Sequence, residues 1–371
     1  MRFGARKKTD HHGRTRTNTD PHGQASAGLV RVGRCSSASV RGAPSMNRRR
    51  FLDAIAALAG IGQSLALPTA VSDARLVTRK QFLMGTVFEV LSYADSHERA
   101  ARVIDQALAE VRRLEKVFSC FDADSEVSRL AGRRCSSPCR LSPDLYRIIE
   151  RSLDFSRLSG GRFDVTVGPL TRLSREIEEE GGSGPRRDLN AARRSVGYRN
   201  LVLIPPDSLV SHADHLEIDL GAIGKGFAVD RAAELLLAGG LKHSLINAGR
   251  SSILALGAPP EESGWRIQLK DAGREIRLCG QAMSTSSQPN VPGMKHGPPK
   301  GHILDPLTGQ PAEFGVSVSI ICGSATTADA LSTTCLLLGY QESCLTLKEF
   351  KDLTMIWTAA DGLSRTFRTE P

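Results

Sequence analysis

The sequence lacks most of the features that would place it quickly. The nearly uncharged run from Phe51 to Leu67 contains Asp53 and is short and mild beside the roughly 20 apolar residues of a membrane-spanning helix. No Cys/His spacing suits a zinc site. No repeat or interdomain linker divides the chain. Above all, the body has almost no net charge. The whole sequence carries 49 Lys/Arg against 40 Asp/Glu, but residues 1–74 hold 12 of the basic and 4 of the acidic ones, leaving 37 against 36 for the rest. The basic balance therefore belongs to the N-terminus, and a nucleic-acid-binding body loses its main support.

What is present begins with a two-part N-terminal segment. Residues 1–45 are polar, basic and without apolar periodicity, which predicts disorder. Met46 then opens "MNRRRFLDAIAALAGIGQSLALPTAVSDA". Arg48 and Arg49, followed by Arg50, Phe51 and Leu52, match a twin-arginine export signal, with an Ala/Gly-rich stretch behind them and small-residue cleavage sites near Ala66, Ala70 and Ala74. The expectation is a signal over 46–74, a true start at Met46 and a periplasmic location; an uncleaved signal would hold the chain at the inner membrane. Cys135 and Cys139 in "CSSPC" are placed to pair in that oxidising compartment.

From Arg75 on, the pattern predicts one intertwined α+β domain, 75–371, with mixed or antiparallel sheets flanked by helices. "RKQFLMGTVFEVLSY" reads as a kinked strand, "GRFDVTVGPL" as extended, and "NLVLI", "HLEID", "SLINA" and "VSVSIIC" as strands. "SHERAARVIDQALAEVRRLEKVFSCF" (96–121), "SPDLYRIIERSLDFSRLSGG" (142–161), "FAVDRAAELLLAGG" (227–240) and "TADALSTTCLLLG" (327–339) read as helices, while "SREIEEEGGSGPRRD" reads as a charged surface loop.

Three stretches carry candidate chemistry. "DLGAIGKGFAVD" at 219–230 is neither a P-loop, since no Ser/Thr follows Lys225, nor a dinucleotide fingerprint. Its glycines at a helix start fit either phosphate binding or tight strand–helix packing. In "TADALSTTCLLLG", Asp329 and Thr333 stand four apart, so their oxygens share a helical face. That pair fits an oxygen-rich Mg²⁺ site as well as an ordinary helix start. In "GHILDPLTGQP", His302 and Asp305 bracket a strand end, and a histidine near phosphate is a candidate general base.

Together with "MGT" at 84–86, "FDADSEVSRL" at 121–130, "SGGRFDVTVGPL" at 159–170 and "MSTSSQ" at 283–288, these motifs resemble the ApbE family of FAD:protein FMN transferases over about residues 80–360. The resemblance implies an ApbE-like fold, FAD as substrate and Mg²⁺ as cofactor. The partner is a target flavoprotein whose Ser/Thr hydroxyl attacks the FMN-side phosphorus and displaces AMP. Carried onto this sequence, it makes Asp329 and Thr333 Mg²⁺ ligands together with a backbone oxygen of Ala222. It gives FAD binding to Met84, Arg162, Phe163, Asp164, Asp219, Lys225, Thr285 and Ile303, with Phe121 in the place of a tyrosine stacked on the flavin. His302 becomes the base.

The chain departs from that pattern at "NAGRSSI". Arg250 and Ser251 stand where the family has Gly and Asp, a departure that bears on metal affinity and transfer rate more than on FAD binding. Ser332, next to Thr333, is a weak metal ligand at best. Two further readings follow: an FAD-holding accessory protein that has lost transfer, and an Mg²⁺-dependent FAD pyrophosphatase using water in place of the hydroxyl. Export through the twin-arginine translocase points to a target in an exported electron-transfer system.

Overall fold

Residues 75–94 form a hairpin and not one kinked strand. In this computed structural model, β1 (Arg75–Leu83) and β2 (Thr86–Ala94) pair antiparallel around Met84 and Gly85. Both turn residues have positive φ, 50° and 73°, as a two-residue turn matched to the twist of its strands demands. The structure describes residues 74–131, 136–179, 189–213, 215–249, 251–269, 271–288 and 303–371. The expectations for 1–45, for the export signal up to residue 73, for the Cys135–Cys139 pair and for Arg250 and His302 lie outside the described residues.

The hairpin begins an eight-stranded antiparallel sheet. Its order is β1-β2-β6-β7-β10-β11-β12-β13, with β6 Ser244–Ala248, β7 Ser252–Leu256, β10 Gln281–Gln288, β11 Val316–Cys322, β12 Thr354–Thr358 and β13 Ser364–Arg368. The smaller sheets are β3-β5-β4 (Cys139–Arg140, Ser208–Ser211, Leu201–Ile204) and the hairpin β8-β9 (Trp265–Leu269, Arg274–Leu278). β7 and β11 are buried along their whole length, because the large sheet is covered on both faces. One face packs against helices α1 (His97–Phe118), α6 (Gly224–Ala238) and α7 (Ala325–Leu338). The other meets β8–β9 through Trp265, Ile267 and Leu278 against Leu91, Ile253 and Met283.

The helices follow sequence logic. α1 places Ile104, Leu108, Val111, Leu114 and Phe118 inward, and Ser96 caps it by accepting the Arg99 N–H. α3 (Pro143–Leu158) starts at the Ser142 cap with proline in its first turn. α7 is buried on nearly every side and needs a strong start. Asp230, the last residue of the glycine-rich motif, supplies it by accepting from Ser324 Oγ, Thr326 Oγ1 and the N–H groups of Ala325 and Thr326 at 2.6–2.9 Å.

One expected extended stretch and one expected strand are absent. Residues 163–170 form a 3₁₀ turn (Val165–Val167) running into α4 (Gly168–Glu179), so the charged insertion begins inside a helix. "HLEID" is an irregular segment that runs beside this turn, with Asp219 N–H bonded to the Val165 carbonyl at 2.8 Å. Gly168 explains the pairing: a Cβ there would sit 2.6 Å from the Glu217 carbonyl oxygen. Close packing decides these segments over the β-pattern of Val165, Thr166 and Val167 in one and of Leu216 and Ile218 in the other. The remaining elements are short: α2 (Glu126–Leu130), α5 (Leu189–Arg194) and α8 (Tyr340–Thr346). Among the described residues, no helix is long and apolar enough to cross a membrane.

Candidate functional site

A cavity of about 350 Å³ opens where the start of α6, the middle of α7, the end of β10 and the 162–167 segment meet. Asp329, Thr333, Ala222 and Lys225 line it, as do Asp219, Arg162, Phe163, Asp164, Thr285 and Ile303. Residues spread over 172 positions of sequence thus share one wall system, although a lining position does not by itself assign a role.

The floor is Asp329, 4% exposed. Its Oδ2 accepts the Gly226 N–H at 2.9 Å, and its Oδ1 lies 3.0 Å from Ser252 Oγ and 2.8 Å from Ser284 Oγ. Gly226 lies in the first turn of α6, where amide groups have no intrahelical acceptor. The carboxylate therefore takes up a free amide at the positive end of the helix. The approach is so close that a Cβ on Gly226 would lie 2.3 Å from the Ala325 carbonyl oxygen and 2.7 Å from Asp329 Cβ. This glycine serves tight packing, one of the two alternatives the motif left open, and through it Asp329 reaches the start of α6.

Thr333 stands one turn along α7, its Oγ1 2.9 Å from Ser286 Oγ. The donor chemistry fits a hard divalent cation, since Asp329, the Thr333 hydroxyl and the Ala222 carbonyl offer only oxygen. A carboxylate has about four acceptor positions; the Gly226 N–H and the hydroxyls of Ser252 and Ser284 fill at most three, the single Ser284 proton being shared between Asp329 and the Ser251 carbonyl, so a direction is left for the cavity. Among the described residues, no group of three or more His, Cys, Asp or Glu gathers as a metal cluster. A site here rests on one carboxylate completed by neutral oxygens.

The rim carries paired charge. Arg162 Nη1 bonds Asp305 Oδ2 at 2.8 Å, and Asp305, 7% exposed, also accepts the Leu307 N–H at 2.8 Å. Lys225 Nζ reaches the Gly221 carbonyl at 3.1 Å. Asp219 accepts from Gly221 N–H at 2.8 Å and Thr171 Oγ1 at 3.0 Å. Asp164 is committed to architecture: it accepts from Thr166 N–H, Thr166 Oγ1 and Tyr198 N–H at 2.7–2.8 Å. Burial still pushes its carboxyl above the usual range, against the lowering pull of those bonds.

Two expected FAD contacts lie outside the cavity lining. Met84 sits in the hairpin turn, its N–H on Glu115 Oε1 at 2.6 Å, with its methyl group near Gly224. Phe121 is 78% exposed, and the Arg175 guanidinium stands 4.6 Å over its ring. Thr171 and Asp219 also line a neighbouring cavity of about 280 Å³ together with Arg175, so the surface is continuous on that side. The structure turns the Thr285 hydroxyl to Ser319 at 2.7 Å, while its neighbours Ser284 and Ser286 face Asp329 and Thr333. Alternation along a strand makes that split unavoidable. Sequence reasoning missed these two serines along with Ser252. Period 2 through "MSTSSQ" was the available signal, but it has meaning only once the partner strand is known.

At "NAGRSSI", the Ser251 carbonyl lies 2.8 Å from both Thr285 N and Ser284 Oγ, so this wall remains tied to β10. The other buried nucleophiles stand apart: burial pushes the Cys322 thiol up to about 11 and that of Cys335 to about 12.

Comparison with known proteins agrees with this arrangement. The sequence model described as the ApbE family matches residues 84–357. The FAD:protein FMN transferase of Treponema pallidum is 31% identical over 316 residues, covering 77% of this chain and 85% of that protein. The Escherichia coli K12 protein of the same name is 26% identical over 284 residues, 70% and 78% of the two chains. Flavin transferase ApbE from Vibrio cholerae superposes with a TM-score of 0.66 at 25% identity over 80% of this chain and 97% of its own. The apo flavinyl transferase ApbE of Pseudomonas stutzeri gives 0.67 at 25% identity over 80% and 96%.

Proposed function

This chain belongs to the ApbE family, and we propose that it is an FAD:protein FMN transferase, moving FMN from FAD to a Ser or Thr hydroxyl of a target flavoprotein and releasing AMP. The observation that carries the reading is the meeting of Asp329, Thr333 and Ala222 with Lys225, Asp219 and Arg162 around one cavity. Asp329, Thr333 and the Ala222 carbonyl would hold Mg²⁺, which when bound would neutralise charge on the pyrophosphate.

The chain's own residues do the rest. Lys225, beside the amide-rich start of α6, meets phosphate oxygen. Phe163 and Ile303 give the cavity apolar wall and exclude water. His302 takes the proton of the attacking hydroxyl as its oxygen bonds the FMN-side phosphorus, and the bond from that phosphorus to the AMP oxygen breaks. The tie between the Ser251 carbonyl and the Thr285 N–H supports transfer over the accessory-protein reading, because it keeps Ser251 joined to β10 beside Asp329.

The test is incubation of the mature protein with FAD, Mg²⁺ and a target domain, read by in-gel flavin fluorescence and AMP release. Label with AMP supports transfer. AMP without label means hydrolysis, and neither means an FAD holder. Asp329→Ala abolishes labelling; full labelling by that variant refutes the metal assignment. The enzyme is exported by the twin-arginine route and acts on an exported electron-transfer flavoprotein in the periplasm. Fractionation after Arg48→Lys/Arg49→Lys substitution checks this, and unchanged periplasmic recovery would refute the route.

A further inference from the structure

The hydroxyl groups between β10 and α7 can be given directions by counting protons. Ser332 Oγ lies 2.9 Å from the Asp329 main-chain carbonyl oxygen. A carbonyl only accepts, so the single Ser332 proton is directed there. Ser286 Oγ lies 2.8 Å from Ser332 Oγ. With the Ser332 proton committed, the proton in that contact belongs to Ser286. Ser286 Oγ also lies 2.9 Å from Thr333 Oγ1, and Ser286 has no second proton to give. Thr333 is therefore the donor in this contact. Donation runs from Thr333 to Ser286, on to Ser332 and finally to the Asp329 carbonyl.

The consequence falls on the oxygen that faces the cavity. A free threonine hydroxyl can turn its proton to an anion or its lone pairs to a cation. Here the proton is held against the strand, so the Thr333 oxygen keeps its lone pairs for the cavity beside Asp329. Ser332, 0% exposed and not part of the cavity wall, is thereby connected to the site without touching it. We propose that Ser286 and Ser332 are positioning residues which fix the Thr333 hydroxyl as an oxygen donor to a divalent cation. This rests on the metal reading above and adds to it the groups that set the ligand's orientation, a role that partners of metal ligands commonly play.

Direct binding of Mn²⁺ to the full chain, followed by the loss of free-ion electron paramagnetic resonance signal, tests the relay without reference to turnover. Ser286→Ala should weaken Mn²⁺ binding roughly tenfold, the lower end of what loss of a ligand's partner costs. Ser286→Thr keeps a hydroxyl at the same place and should restore wild-type affinity. Ser332→Ala should weaken binding too, because it frees the Ser286 proton to turn onto Thr333 and cover the lone pair. Thr333→Val separates the two levels of the argument. If it loses affinity while Ser286→Ala and Ser332→Ala bind as wild type, the relay is wrong and the metal site stands. If Thr333→Val and Asp329→Ala both bind Mn²⁺ as wild type, the metal reading itself falls. Should Ser332→Ala not fold, as judged by its thermal melt, the Ser286→Ala and Ser286→Thr pair decides alone: equal affinities overturn the proposal, and a gap closed by the hydroxyl supports it.

Discussion

The floor and the rim of the cavity are built from opposite materials. The floor holds a buried carboxylate with neutral groups around it: the Gly226 amide and the hydroxyls of Ser252 and Ser284. The rim holds opposite charges in part-exposed contact, Arg162 with Asp305, and Lys225 turned to a main-chain carbonyl. Neutral donors orient Asp329 without cancelling its charge, which is what the proposed cation site requires of the floor. Paired charges on the rim cancel when apart from a ligand and can be redeployed toward phosphate. Floor residues should therefore be sensitive to displacement, and rim residues to salt.

The sharpest way to break the floor is Gly226→Ala. Its new Cβ would meet the Ala325 carbonyl oxygen at 2.3 Å and Asp329 Cβ at 2.7 Å, and neither is a flexible side-chain tip. The helices must separate. The expected outcome is a loss of about 3 kcal/mol by denaturant melt, at the upper end of overpacking costs, with flavin labelling lost as well. A variant of wild-type stability and activity would show that α6 and α7 do not need to touch here.

Next in size is Asp230→Ala, which acts on the same floor from a distance. Four donors at the start of α7 lose their acceptor, and Ser324 remains to cap the Thr327 N–H. Loss of a strong cap costs about 1–2 kcal/mol. Because α7 carries both Asp329 and Thr333, metal affinity should fall along with the melting temperature. A melt shift with unchanged metal affinity would separate the cap from the floor.

The floor's two leading residues were legible in the sequence because Asp329 and Thr333 are local partners, four apart on one helix. Its serines were not, because Ser252 and Ser284 meet only through the pairing of β7 with β10, where they are register partners. Asp230 was visible as the end of a motif, but its target lies 94–96 positions onward. The fold class, the antiparallel sheet and the main helices were readable from periodicity and caps. The failures at 163–170 and at "HLEID" have one cause: Val165-Thr166-Val167 in the first and alternating Leu216 and Ile218 in the second wrote a strand pattern over segments whose conformation is set by the Gly168–Glu217 contact. At Met84, the period continued across a turn that only the positive φ values reveal.

The smallest expected effect lies on the rim, and it is the one that separates the two materials. Arg162→Ala removes a guanidinium whose side chain is 35% exposed and leaves Asp305, at 11%, without its cation. Asp305 retains the Leu307 N–H, so it is not stranded, and the stability loss should stay near 1 kcal/mol, the upper range for exposed ion pairs. The larger consequence is for an anionic ligand, which would now face an uncompensated carboxylate at the entrance. FAD affinity should fall about fivefold at low ionic strength, and the gap to wild type should shrink at high salt, where a Debye length of about 3 Å at 1 M screens charges at the opening. Gly226→Ala should show no such convergence, since salt does nothing for a steric contact. Parallel salt titrations of FAD binding by the two variants check the contrast. If Arg162→Ala keeps its full deficit at high salt, the rim works by shape as the floor does, and the division drawn between them is wrong.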